Sequence, residues 1–195
     1  MKLNSKSQSL LAVVLAITIA TTGCSAQWIN IALQDLPVLT QMALNIATLV
    51  SGLASGQQAN PGDVAVVQNI SAQASRGLNL LQSLYAEYKV NPSVTTLKKI
   101  QNAISDLNQN LPALVESAHI SNSTLAARIT AAVNLILTTV DNFGALMPQS
   151  STATSQRLPI APPNAKQLKQ QWNQQICATT GKVHFDAALL NCTIR

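Results

Sequence analysis

Apolar residues recur through the middle of the chain in alternating steps of three and four. In 27–55 the series is Ile29, Ala32, Leu36, Leu39, Ala43, Ile46, Val50 and Leu53. In 63–90 it is Val67, Ile70, Ala74, Gly77, Leu81, Leu84 and Tyr88, and in 91–119 Leu97, Ile100, Ile104, Leu107, Leu111, Leu114 and Ala118. In 123–147 it is Leu125, Ile129, Ala132, Ile136, Thr139, Phe143 and Leu146. This alternation puts every one of these side chains on a single seam of a slightly supercoiled helix. Four such series in succession predict four amphipathic helices.

The interruptions agree with the series. "SGQQANPGD" separates the first two helices, with Asn60-Pro61-Gly62 as turn chemistry and Asp63 as the expected cap. "VNPS" separates the second and third, where Asn91 is the expected cap and Pro92 an early helical residue. "HISNS" separates the third and fourth, with Ser121, Asn122 or Ser123 available to cap. Links this short force neighbouring helices antiparallel. The expected fold is all-α, an antiparallel up-down-up-down four-helix bundle over 24–147 with a short C-terminal helix and an extended tail.

Two features exceed this pattern. "QDLPVL" (34–39) and "QNLPAL" (109–114) share four of six residues, each with a proline one step past a seam leucine. Either the prolines bend helices one and three alike and open a groove, or Asp35 and Asn110 cap helices that restart there. Helix one also carries Ile31, Val38 and Leu44 off its seam, which a covering C-terminal segment would hide.

Residues 148–164 are rich in Pro, Ser, Thr and Ala and read as an extended linker. Within 165–195, Leu168, Trp172 and Ile176 fall at steps of four, a fifth helix with Gly181 as its expected stop.

Composition refines this picture. Only 10% of residues are charged, against roughly 25% in ordinary soluble domains. Aromatics are 3%, so the core must be built from Leu, Ile, Val and Ala. The net charge of +5 is unevenly placed. Residues 24–147 hold five bases and six acids, whereas 148–195 hold Arg157, Lys166, Lys169, Lys182 and Arg195 against Asp186 alone. No clustered Lys/Arg with interleaved aromatics appears, so nucleic acid is not an expected partner.

The N-terminus has the pattern of an export leader. Lys2 and Lys6 precede "LLAVVLAITIA" (10–20), an apolar run of signal-core length and too short to span a membrane unaided. Two cleavage sites follow it. "Cys24-Ser25-Ala26" offers small residues to an ordinary signal peptidase and would free Gln27. "Thr21-Thr22-Gly23-Cys24" resembles the lipobox of bacterial lipoproteins, with Thr21 in place of the usual aliphatic residue. The resemblance covers residues 1–24 and implies that 1–23 are removed and Cys24 is lipidated. Ser25 then resembles the residue that lets such proteins reach the outer membrane. Several acyl chains, at about 0.8 kcal/mol per buried methylene, anchor a protein stably.

Cys177 and Cys192 remain once Cys24 is assigned, and in an exported protein the expectation is a disulfide between them. Cys177, His184, Asp186 and Cys192 as metal ligands fit no familiar spacing. His119 stands in the third connection as a solvated histidine. Neither a nucleophile elbow, a phosphate-binding glycine loop, paired histidines nor a Glu-x-x-His pair of di-iron bundles is present. The sequence therefore predicts no catalytic residues, metal or cofactor. The expected protein is a non-enzymatic, lipid-anchored structural or interaction module of a bacterial envelope, facing the periplasm, with a membrane and an envelope protein as partners. The alternative is a soluble periplasmic or secreted carrier holding a small apolar ligand beside Ala74, Gly77 and Ala132.

Overall fold

The computed structural model describes residues 27–51, 60–147, 164–178 and 192–194. The leader, Cys24, Leu53, the linker up to 163, Gly181, His184 and Asp186 lie outside the described residues. The fold is all-α. Helix α1 spans 27–46 and tightens into a 3₁₀ turn, Ala47–Val50. Helices α2 (Pro61–Val90), α3 (Val94–Ser117) and α4 (Ser123–Leu146) follow, then α5 (Ala165–Trp172), which widens into a π-helical turn, Asn173–Cys177.

Local chemistry sets each start. Asn60 caps α2 by accepting from the Gly62 N–H at 3.0 Å, with Pro61 as the first helical residue. Asp63, the cap expected from sequence, sits inside the first turn and does other work: it is buried and accepts from both the N–H and the hydroxyl of Ser121. It thereby ties the start of α2 to the α3–α4 connection. Ser93, not Asn91, caps α3 through the Thr96 N–H at 3.0 Å. Pro92 disfavours helical backbone at the residue before it, so α2 stops at Val90 and the chain reaches Ser93 extended. Asn122 caps α4 through the Leu125 N–H. Asn164 and Gln167 form a reciprocal capping box on α5. Helix α3 ends just ahead of His119, whose φ of 45° is left-handed and reverses the chain.

Contacts between helices establish the antiparallel order. Trp28 meets Tyr85 and Tyr88, while Ser71 donates to the Ala43 carbonyl, so α1 and α2 run in opposite directions. The pairs Thr96–Glu87 and Leu107–Gly77 do the same for α2 and α3. Asn108–Asp141 and Ile104–Gly144 set α3 against α4. The seams line one continuous core, with Gly77 admitting Leu107: a Cβ on Gly77 would lie 2.3 Å from Leu107 Cδ2. The few aromatics do core work, since Trp172, Tyr85 and Phe143 are fully buried. Met42 and Met147, off the seams in sequence, are buried as well.

Helix α4 is long and apolar enough to cross a membrane by length and composition, with a mean hydropathy of 1.4. Its width of apolar surface has a local cause. It packs on α3, on the 3₁₀ turn after α1 and on the π-helical turn after α5, while Ser123, Thr130, Asn134, Thr138 and Asp141 keep one stripe in water.

The prolines lie inside continuous helices, so Asp35 and Asn110 are not caps of restarting helices. Pro37 is exposed and Pro112 half-buried. Each removes one N–H from the helical ladder.

Candidate functional site

The C-terminal segment is built into the bundle more deeply than its basic, proline-linked sequence suggests. Leu168, Trp172 and Ile176, spaced at four residues, are fully buried, and Cys177, Cys192 and Ile194 join the same core. The helix ends at Cys177, short of the expected stop at Gly181, where the Ala178 N–H closes the π-helical turn on the Asn173 carbonyl at 2.9 Å. The sulfurs of Cys177 and Cys192 are 2.03 Å apart, at bonding distance, with their Cα atoms 5.8 Å apart. A thiol pair so joined has no free thiolate to offer a metal.

Residues 192–194 are held by side chains from two elements. The Cys192 carbonyl accepts from Trp172 Nε1 at 2.9 Å and from Asn45 Nδ2 at 3.3 Å. Asn173 donates to the Ile194 carbonyl and accepts from the Ile194 N–H, the two bonds a neighbouring strand would make. At the other end of this clasp stands Asp35, the lone charge of α1. It is 2% exposed, and its carboxylate accepts from the Ala165 N–H at the start of α5. Burial raises its pKa above the usual carboxylate value, and the Ala165 bond partly opposes that rise. An acid at a helix N-terminus also meets the positive end of the helix dipole.

The off-seam apolar residues of α1 differ in burial. Ile31 and Val38 are half-buried against the core, whereas Leu44 stays 50% exposed. The sequence points to Trp172 and the cysteine pair but not to Asn45 or Asn173, and it offers Asp35 only as a cap. The signal for Asp35 was present: a single acid in an otherwise uncharged helix.

Surface clefts flank the core among the described residues. One of about 190 Å³ lies between α2 and α3, lined by Gln73, Arg76, Gly77, Leu80, Asp106 and Asn110 among others. A second, of about 390 Å³, runs between the first turns of α4 and the π-helical turn, bordered by Thr124, Arg128 and Gln175. Both are open; the first has an apolar floor of Ala103, Leu107 and Leu111 under a polar rim, and the second mixes polar and apolar walls. Ala74 and Ala132 are fully buried, and the space beside Gly77 is filled by Leu107. Among the described residues no group of three or more His, Cys, Asp or Glu is placed to hold a metal. His119 is exposed, its Nδ1 2.8 Å from the Ser117 carbonyl.

Cys24 lies three residues ahead of Gln27, where α1 begins. The chain therefore enters the bundle at the end formed by the last turn of α2 and the first turn of α3, where Trp28 packs on Tyr85 and Tyr88. No protein-family model matches the chain, and comparison with curated proteins and with solved structures finds no match.

Proposed function

We propose that the chain is an exported bacterial envelope protein, lipid-anchored through Cys24 and facing the periplasm, that acts as a non-enzymatic structural or interaction module. The observation that carries this reading is "TTGC" placed directly after the apolar run 10–20. A thiol at that place, once acylated and made the first residue, tethers the bundle with no spanning helix. Two features of the mature part support it. A cysteine pair at bonding distance suits an oxidising compartment outside the cytoplasm. The polar, sparsely charged helix faces around a continuous core offer a broad surface for contact with a partner.

Intact-mass and N-terminal peptide analysis of the protein recovered from bacterial membranes tests the reading. A diacylglyceryl-modified Cys24 is expected. An unmodified Gln27 terminus in the soluble fraction overturns the tether and leaves a released periplasmic or secreted protein.

A further inference from the structure

Four large hydrophobic side chains are strongly exposed among the described residues, and two of them share one turn. Val90 closes α2 and is 87% exposed; Val94 opens α3 and is 71% exposed. Lys89, Lys98 and Lys99 surround them, all exposed, with Glu87 as the acid beside them. Three of the bundle's five cations are thus gathered at one end, whereas the opposite end carries Asp63 and Glu116. This is also the end at which the chain enters from Cys24, since Trp28 packs on Tyr85 and Tyr88. Tethering there would hold this turn, and not the opposite one, against the bilayer.

We propose that the α2–α3 turn is a docking surface for an anionic lipid bilayer, with Val90 and Val94 entering the headgroup layer and Lys89, Lys98 and Lys99 meeting lipid phosphates. The inference rests on the reading that Cys24 is the tether. The chemistry is that of an interfacial contact: apolar side chains at the tip, flexible cations set one turn behind them, and a surface potential opposite in sign. Valines are short, so the contact penetrates shallowly, and the three lysines supply most of its affinity for an anionic surface, enough to be read without the anchor. The acyl anchor raises its effective concentration at the surface and lets the contact orient the rod. Glu87 lies 4.0 Å from Lys99 and accepts from Thr96, so one acid answers part of the charge of three lysines and the turn stays net basic.

The test uses the mature chain from Ser25 onward, exported behind a cleavable leader so that it carries no acyl groups. Flotation is measured with phosphatidylcholine vesicles and with vesicles that also contain phosphatidylglycerol. Expected is salt-sensitive flotation with the anionic vesicles only. K89Q/K98Q/K99Q should weaken it about a hundredfold, and V90S/V94S about tenfold, while helical circular dichroism of these surface variants stays unchanged. No flotation with anionic vesicles overturns the proposal. So does flotation that survives both variants yet is lost when the basic residues of 148–195 are neutralised. The tether is read separately from the mass of the N-terminal peptide: an unmodified Cys24 with tip-dependent flotation removes the tether and keeps the docking surface, and an acylated Cys24 with tip-independent flotation does the reverse.

Discussion

Asp35 shows how one charge can set the register of two helices. Its carboxylate is out of water on α1 and meets the first N–H of α5, so the acid is solvated by a helix terminus in place of solvent. Burial outweighs that bond, and the group binds its proton more tightly in the folded state than in the unfolded chain. The native state therefore holds more protons in the window just above the ordinary carboxylate pKa, and stability must fall as pH rises through that window. D35N removes the charge and keeps an acceptor for Ala165. It should be at least as stable as the parent at neutral pH and lose the gain in stability on mild acidification. D35A leaves the Ala165 N–H unmet and should cost about 1–3 kcal/mol. Urea titrations at neutral and mildly acidic pH decide both; a parent that weakens on mild acidification while D35N does not would refute the assignment.

Gly77 makes a second argument at this scale. Its missing Cβ lets Leu107 of α3 lie against the α2 backbone. G77V should cost about 1–3 kcal/mol through overpacking. L107A in that background should return part of the loss, because the two sites share one space. A strictly additive double mutant, read from urea midpoints, would show that the contact does not couple them. Gly77 was visible in sequence as a small residue on a seam, but not whether it left a void or received a side chain. That depends on which residue faces it across the bundle.

At the scale of elements, the seams were legible because a bundle core needs one apolar residue every three to four positions, and that demand is local to each helix. Ile29 through Ile46, Ile100 through Leu111 and Leu125 through Phe143 are buried where the spacing puts them. Caps were legible only to within a few residues. Asn60 and Ser93 take the roles expected of Asp63 and Asn91, since several side chains in each connection can cap and the neighbouring proline selects among them. The depth at which α5 docks was not legible, because it depends on a groove between α1 and α4 that exists only after the bundle forms. The disulfide is the covalent part of that docking. It closes a loop with a sequence separation of 15, and C177S/C192S should lower the unfolding free energy by roughly 3 kcal/mol. Trp172 should nonetheless remain buried in the folded variant, held by its bond to the Cys192 carbonyl and by core contacts. Thermal melts give the first quantity. A Trp172 emission shifted to that of exposed indole, measured in a W28F background, would show that the covalent link alone holds the segment.

At the scale of the whole molecule, the question is whether five helices make one cooperative unit or a bundle with a detachable clasp. The core runs without interruption from Trp28, at the end where the chain enters, to Trp172, whose partner Cys192 is bonded to Asn45 near the far end of α1. Helix α2 alone spans about 45 Å, so the two indoles report on opposite ends of the rod. They are the only tryptophans in the chain. Asp35, Asn45 and the π-helical turn tie α5 to both α1 and α4, and removing it would uncover apolar surface on each. A core shared without interruption by all five helices predicts that they unfold as one unit. In W28F, Trp172 emission should therefore follow helical circular dichroism along the same urea curve, and in W172F the emission of Trp28 should do likewise. If Trp172 reports its transition at a lower urea concentration than the helical signal, while Trp28 does not, the clasp opens first. The bundle would then be a four-helix body with a removable cover over α1 and α4.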